Sequence, residues 1–289
     1  MSTVFTFPGK MGDALHQWPI AHHWHKQTGK PFQVWLDQTT CKPLVKLFEA
    51  QPGVELVKLV EGVENYNCGG QPFHLNLPTS AFDEHTIFHM GLRGFPARQL
   101  TLECLQTSRV PVTLTAETLA TERSLVAGGE EPRPGGGLGM LVLHGQPAYA
   151  HTGTTPTFWK FIAGVRAELE DLFENITFVG APRDLETAER IYPDWDRYDD
   201  GGDLKKTADL VQHSDCMIGC GSAPIVLAGL LRVPGIRVHD AIAGDAPKVI
   251  WSNIGDDQVN ATEIELRRDW PTFRDKYLKK PLAETVAGA

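Results

Sequence analysis

The chain has few cysteines, no long apolar run and no excess of positive charge, and each lack removes a class of protein. Its 289 residues include five cysteines: Cys41, Cys68, Cys104, Cys216 and Cys220. An odd, scattered set is not a disulfide framework and suits a reducing compartment. The opening MSTVFTF has neither a basic flank nor a long apolar core, so the expected location is cytoplasmic. No apolar run approaches the ~20 residues that a membrane helix needs; the longest, Ala223 to Leu231, contains Pro224. The formal net charge of -9 speaks against nucleic-acid binding through the overall field. A local basic groove, to which Arg93 and Arg98 of an RGFPAR loop would contribute, is not excluded by it. Cys216 and Cys220 with His213 do not read as a zinc site, because the His falls on a preceding helix, and no metal is expected.

What is present is an ordinary globular composition, 42% hydrophobic and 22% charged, at a length that accommodates one large or two smaller domains. Apolar runs at Val4–Phe7, Phe32–Leu36, Val54–Val60, Thr86–His89 and Val110–Leu114 read as strands. They are separated by helical patterns from about Ala14 to Gln27, around Leu44, Val45 and Phe48, and over Ala116–Val126. Gly128–Gly137, GGEEPRPGGG, has no periodicity and reads as a linker. The pattern then restarts with strand Met140–His144, helix Thr157–Leu172, strand Ile176–Val179 and helix Leu185–Ile191. Alternation of this kind implies parallel α/β sheets. The expected organisation is an N-terminal domain over 1–127, a linker at 128–138, a C-terminal domain over 139–265, and a closing helix and tail over 266–289. The closing helix, near Thr272–Leu278, is expected to return to the first domain.

Two strand-to-helix turns carry candidate chemistry. In DLKKTADLVQHSDCMIGCGSAPIVLAGLLRVPGIRVHD (203–240), a strand at Cys216–Gly219 runs into Gly221, Ser222, Ala223 and Pro224, which open a helix ending before Pro234. Proline suits the first turn of a helix. Free N–H groups at Ser222 and Ala223, with the positive end of the helix dipole, make a natural anion site; an ordinary βα turn is the equally open alternative. In the first half, Lys10, Met11, Gly12 and Asp13 lie between the first strand and the first long helix. Asp13 reads either as an N-cap or first-turn residue that satisfies an orphan N–H, or as a cleft-facing base. Pro19 is expected to kink or divide that helix. His16, His22, His23 and His25 scatter around it and read as a solvated face, with His16 nearest the cleft.

KMGDALHQWPIAHHW resembles the opening motif of the heptosyltransferase-like glycosyltransferases (glycosyltransferase family 9), in which M-G-D-hydrophobic-L-H-x-x-P follows the first strand. LVLHGQ, ITFVGAPRD and ADLVQHSDCMIGCGSAPIVLAGLLRVP are similar to the family's later motifs, in the same order. The resemblance implies a GT-B fold, two Rossmann-like parallel-sheet domains facing a central cleft. It implies inverting, metal-independent transfer of a sugar from a nucleotide-sugar donor to a saccharide or other hydroxyl acceptor, without a further cofactor. Position by position, Asp13 matches the catalytic base, and Gly221, Ser222 and Ala223 match the turn that binds the donor phosphates. Lys10, Met11, Gly12, His16, His144 and His151 are candidates for lining the cleft. The family's Asp and His in the last motif correspond to Gly221 and Val226, and its Lys falls near Gly153, with His151 the nearest polar residue. These departures keep two alternatives in view: a glycosyltransferase acting on a DNA base, and a non-catalytic nucleotide- or sugar-binding protein of the same fold.

Overall fold

The computed structural model describes residues 3–7, 10–61, 124–126, 139–145, 154–220, 222–231, 233–238, 249–251, 258–260 and 270–278. They form two parallel sheets. The first has the order β1 (Thr3–Phe7), β2 (Phe32–Asp37), β3 (Val54–Val60). Helix α1 (Met11–Thr28) joins β1 to β2, and a 3-10 turn (Lys42–Leu44) running into α2 (Val45–Glu49) joins β2 to β3. The second half runs β4 (Met140–His144), α3 (Thr154–Leu172), β5 (Asn175–Gly180), α4 (Pro182–Ile191), β6 (Asp196–Asp199), α5 (Leu204–Gln212), β7 (Cys216–Cys220), α6 (Ala223–Leu231) and β8 (Gly235–Val238). Its sheet order is β6–β5–β4–β7–β8, all parallel. The chain therefore moves outward from β4 to one edge and then returns to build the other side. The carbonyl ends of β4 and β7 flank the switch point where open α/β sheets bind ligands. A short antiparallel pair, β9 (Val249–Trp251) and β10 (Gln258–Asn260), follows.

Strand periodicity sorts the second sheet's side chains between two cores. Leu141 and Leu143 of β4, Ile176 and Phe178 of β5, and Cys216, Ile218 and Cys220 of β7 face one cluster with α3. Their alternating neighbours Val142, Val179 and Met217 face the other, as the two-residue side-chain period requires. Rings of Trp159, Phe178, Tyr192 and Trp195 fill the first of these clusters, with Tyr192 and Trp195 stacked at 4.3 Å. Burial pushes the Cys216 thiol up, which leaves it protonated and unreactive.

The other cluster crosses from one half of the chain to the other. It unites Phe5, Phe7, Leu15, Trp18, Phe32 and Phe48 of the first half with Val142, Ala208, Met217, Ile225 and Leu227 of the second. Helix α6 is apolar around its whole circumference, as a helix covered on every side must be; it packs on β7, α5 and, across the seam, α1. Ser124–Val126 forms a clasp along the same seam. The Ser124 and Leu125 N–H groups donate to the Leu230 carbonyl of α6 (3.2 and 3.3 Å). On the other side, Trp18 Nε1 donates to the Ser124 carbonyl, and Gln51 makes two bonds to the Val126 backbone (2.7 and 2.8 Å). A domain boundary this apolar resists the relative motion expected of polar ones.

The seam also carries an ion pair. Asp203 Oδ1 caps α5 by accepting from the Lys205 N–H (3.1 Å), and its Oδ2 meets Lys46 Nζ of α2 at 2.7 Å. Burial alone would raise the Asp203 pKa, but the Lys46 and Lys205 hydrogen bonds outweigh it and the net shift is downward. A carboxyl whose folded pKa is depressed adds stability above its unfolded pKa and loses it as pH falls through the folded value. Asp203→Asn should keep the cap, since Asn caps about as well, while flattening this acid limb. Urea midpoints at pH 7 and pH 3 would show a smaller drop in the variant; an unchanged drop would contradict the assignment.

Several expectations are corrected. The division of α1 expected at Pro19 does not occur, since the helix is one element through it. The proline removes a single backbone bond, and buried Ala14, Leu15, Trp18, Ala21 and Trp24 on both sides of it hold the two parts together. The helix stops at Gly29, whose φ of +65° and N–H to the His25 carbonyl (2.7 Å) form a left-handed C-terminal stop. His22 and His23 do not lie on a solvated face: His23 is buried and the His22 ring lies against Trp18; the side chain of His16 lies outside what the structure describes. Ser124–Val126 is not helical but forms the clasp. The closing segment, helical at 270–273 and π-helical over Arg274–Leu278, does not return to the first half. Trp270, Phe273 and Leu278 pack in the α3 cluster, and Trp270 Nε1 and Arg274 Nη1 both reach Glu168. The strands expected at Thr86–His89 and Val110–Leu114, residues 116–123 of the expected helix, and the 128–138 linker lie outside the described residues.

Candidate functional site

The second sheet brings its candidate residues to the switch point. His144 ends β4 and Cys220 ends β7, with His144 paired to Gly219 in register. Ser222 follows, then α6 begins at Ala223, with Pro224 in its first turn where the missing N–H costs nothing. The His144 side chain is buried, and its Nδ1 lies 3.0 Å from Ser222 Oγ. Ser222 Oγ also donates toward the Cys220 carbonyl at 3.3 Å, and the Cys220 thiol reaches the Gly145 carbonyl at 3.4 Å. Four residues from two neighbouring strand ends are thus linked side by side.

One expectation about this turn is not met. The Ser222 N–H is not free: it donates to the Cys220 carbonyl at 2.7 Å in a tight turn. The Ala223 N–H is the amide that makes no hydrogen bond to a described residue. Val226, at the position of the family's His, is 6% exposed and belongs to the shared apolar core. Gly221 and His151 lie outside the described residues.

The first half meets this turn through the start of α1. A methyl placed on Gly12 would lie 3.9 Å from the Ala223 nitrogen and 4.0 Å from its Cα. The first turn of α1 therefore abuts the first residue of α6. Lys10 precedes α1, and its carbonyl accepts the Ala14 N–H at 3.0 Å. Met11 packs against the shared core. Asp13 is the third residue of α1, in its first turn rather than at the N-cap, and His16 is one turn further on. The structure brings the backbone of Gly12, and with it the first turn of α1 that carries Asp13, next to Ala223, and sets His144 against Ser222 of the same turn.

Asp37 was not singled out by its sequence. It is buried at the carbonyl end of β2, and its Oδ1 accepts from the Thr39 and Thr40 N–H groups and the Thr40 hydroxyl (2.9, 2.6 and 2.8 Å). The signal was the run Asp-Gln-Thr-Thr, which favours a side-chain-closed turn. Gly145 is the other omission. A Cβ there would lie 2.7 Å from the Trp159 ring and 2.8 Å from the Phe158 ring, so any side chain at this position would have to displace both rings. Gly145→Ala is expected to cost ~1–3 kcal/mol through overpacking. A thermal melt equal to wild type would contradict that contact.

No protein-family model and no curated protein sequence matches the chain. Solved structures do share its fold. E. coli heptosyltransferase WaaC with ADP is 14% identical, with a TM-score of 0.55 over 96% of this chain and 99% of that one. E. coli ADP-heptose LPS heptosyltransferase II is 12% identical, with a TM-score of 0.52 over 96% and 99%. The glycosyl transferase family 9 structure from Veillonella parvula is 13% identical, with a TM-score of 0.52 over 81% and 79%. The chain has the two-domain, Rossmann-like GT-B fold of these glycosyltransferases nearly end to end.

Proposed function

We propose that the chain is an inverting glycosyltransferase that moves a sugar from a nucleotide-sugar to an acceptor hydroxyl. The observation that carries this reading is the meeting of two turns. The first turn of α1, with Asp13, abuts the β7–α6 turn at the switch point of the second sheet. This supplies, within one small volume, a carboxylate-bearing turn from one half and a helix N-terminus from the other. In a chain with this fold, those are the two parts that sugar transfer requires.

In this mechanism the acceptor hydroxyl gives its proton to Asp13 as its oxygen attacks the anomeric carbon. The C–O bond to the nucleoside diphosphate breaks on the opposite face, through an oxocarbenium-like state. The leaving phosphate gains negative charge, and the Ala223 N–H and the start of α6 stabilise it with donors oriented beforehand. The shared apolar core keeps the two turns at a fixed spacing, so transfer proceeds without a large domain closure about the 128–138 linker. No cofactor beyond the donor and no metal is assigned a role.

The donor is the open variable, since Gly221 and Val226 depart from the family's motif. WaaC has been solved with ADP and with ADP-2-deoxy-2-fluoro heptose, which makes ADP-sugars the first donors to test, followed by UDP-, GDP- and CDP-sugars. The experiment incubates each donor with the protein and a panel of saccharide acceptors, and measures nucleoside diphosphate release and the anomeric configuration of the product. One arm contains a chelator, because the fold neighbour TibC (TM-score 0.50, 12% identity over 94% of this chain) is an iron-containing glycosyltransferase. Acceptor-dependent release with inverted configuration, insensitive to chelator, is expected. Product with retained configuration would overturn the mechanism, and loss of turnover with chelator would overturn its independence of metal.

A further inference from the structure

We infer that His144 is a positioning residue for the leaving group: it holds the Ser222 hydroxyl so that this hydroxyl can donate its proton to a phosphate oxygen of the nucleotide donor. The inference rests on the glycosyltransferase reading and names a further contact in the same site. A serine hydroxyl has one proton and two acceptor lone pairs. At Ser222 that hydroxyl stands between two groups, His144 Nδ1 at 3.0 Å and the Cys220 carbonyl at 3.3 Å. One proton cannot serve both. When it points at the Cys220 carbonyl, the 3.0 Å contact is a hydrogen bond only if His144 Nδ1 carries a hydrogen and donates to Ser222 Oγ.

That arrangement leaves the hydroxyl proton in the weaker of the two bonds. The Cys220 carbonyl already accepts the Ser222 N–H at 2.7 Å, so it stays satisfied if the hydroxyl turns away. An incoming phosphate oxygen offers a stronger, charge-assisted acceptor, and the His144 N–H continues to hold Ser222 Oγ while the proton swings. A chain from imidazole N–H through hydroxyl to phosphate polarises each member in turn. Burial at the end of β4 and the 3.0 Å contact with Ser222 Oγ hold the imidazole in place. The ligand class that this chain selects is an oxyanion of a nucleoside diphosphate, and the contact provides a side-chain donor in a site where the family's Asp is Gly221 and its Lys falls near Gly153.

The test uses the intact protein and calorimetric titration with ADP, UDP, GDP and CDP, and with the matching nucleosides. His144→Leu removes the Nδ1 donor; His144→Asn returns an N–H near the same position. With the diphosphate that wild type binds best, His144→Leu is expected to weaken binding about tenfold, the scale of one charge-assisted hydrogen bond. His144→Asn should recover most of that loss, and Ser222→Ala should lose as much as His144→Leu. His144→Leu placed on Ser222→Ala should cost little more. Nucleoside binding should not change in any variant, which separates the role from general loosening of the turn. Equal losses from His144→Leu with and without Ser222, or no rescue by His144→Asn in a folded protein, would overturn the inference while leaving the glycosyltransferase reading standing. If His144→Leu does not fold, Ser222→Ala decides: unchanged diphosphate affinity overturns the inference. Absence of any nucleoside diphosphate binding in wild type is a different failure, because it removes the donor site itself before any variant is made.

Discussion

Asp13→Asn is expected to slow sugar transfer ~10²-fold or more, the usual contribution of a positioned general base, while the protein stays folded. Asp13 is the third residue of α1 and not its N-cap. A carboxylate in the first turn of a helix interacts favourably with the helix dipole, typically by ~0.3–1 kcal/mol. The neutral isostere gives up that interaction. A helix-stabilising residue would lower the melting temperature slightly and leave the rate alone; a base would leave the melting temperature nearly alone and collapse the rate. The measurement is turnover with the best donor and acceptor pair beside a thermal melt of the same sample. Turnover near the wild-type rate would remove Asp13 from the chemistry.

Trp18→Ala is expected to cost ~3–5 kcal/mol, as removal of a large buried aromatic does, and to destabilise both halves together. The ring is wholly buried, stacks on Phe48 at 4.8 Å, and its N–H reaches the Ser124 carbonyl of the clasp. Because the apolar cluster that holds it continues into β4, β7 and α6, its loss weakens the seam as well as the first sheet. Urea unfolding followed by near- and far-ultraviolet circular dichroism would show one coincident transition in wild type, moved as a whole in the variant. Two separate transitions, with only the earlier one shifted, would mean that the halves fold independently and the seam holds nothing. Trp18→Phe keeps most of the apolar area but strands the Ser124 carbonyl, and its smaller loss, ~1–3 kcal/mol, isolates the hydrogen bond.

Most of the described strands and helices were legible as apolar runs or helical patterns bounded by turn residues. Val54–Val60 and Met140–His144 were readable to the residue. Elements without that signal were missed or misread. Strand β6, Asp-Arg-Tyr-Asp, pairs only with β5 and carries polar side chains, so an edge strand looks like a loop in sequence. Pro19 read as a kink or a division, and the division does not occur because local rules do not register the apolar faces that hold α1 together. His23 read as solvated because its burial depends on tertiary packing that no local pattern carries.

The candidate site divides in the same way. Motif order put Asp13, Ser222 and Ala223 forward as candidates, and the structure brings the first turn of α1 beside Ala223; His144 was a candidate for the cleft. The amide of Ser222 was misjudged, because its bond to Cys220 depends on how tightly the turn closes. The pairing of His144 with Ser222 joins residues 78 positions apart in the chain and follows only from β4 and β7 being neighbours in the sheet.

The most direct measurement is a thermal-shift titration of the protein with nucleoside diphosphates and nucleotide-sugars. A ligand that binds only the folded state stabilises it by RT ln(1 + [L]/Kd), about 2.7 kcal/mol at one hundred times Kd, which corresponds to roughly 5 °C or more for a chain of this size. The account predicts that one nucleotide series raises the melting temperature by that amount, that the diphosphate and its sugar ester act more strongly than the nucleoside at equal concentration, and that Ala223→Pro, which deletes the donor amide, reduces the shift in a protein that still folds. No shift with any nucleotide, or an equal shift in folded Ala223→Pro, would contradict it.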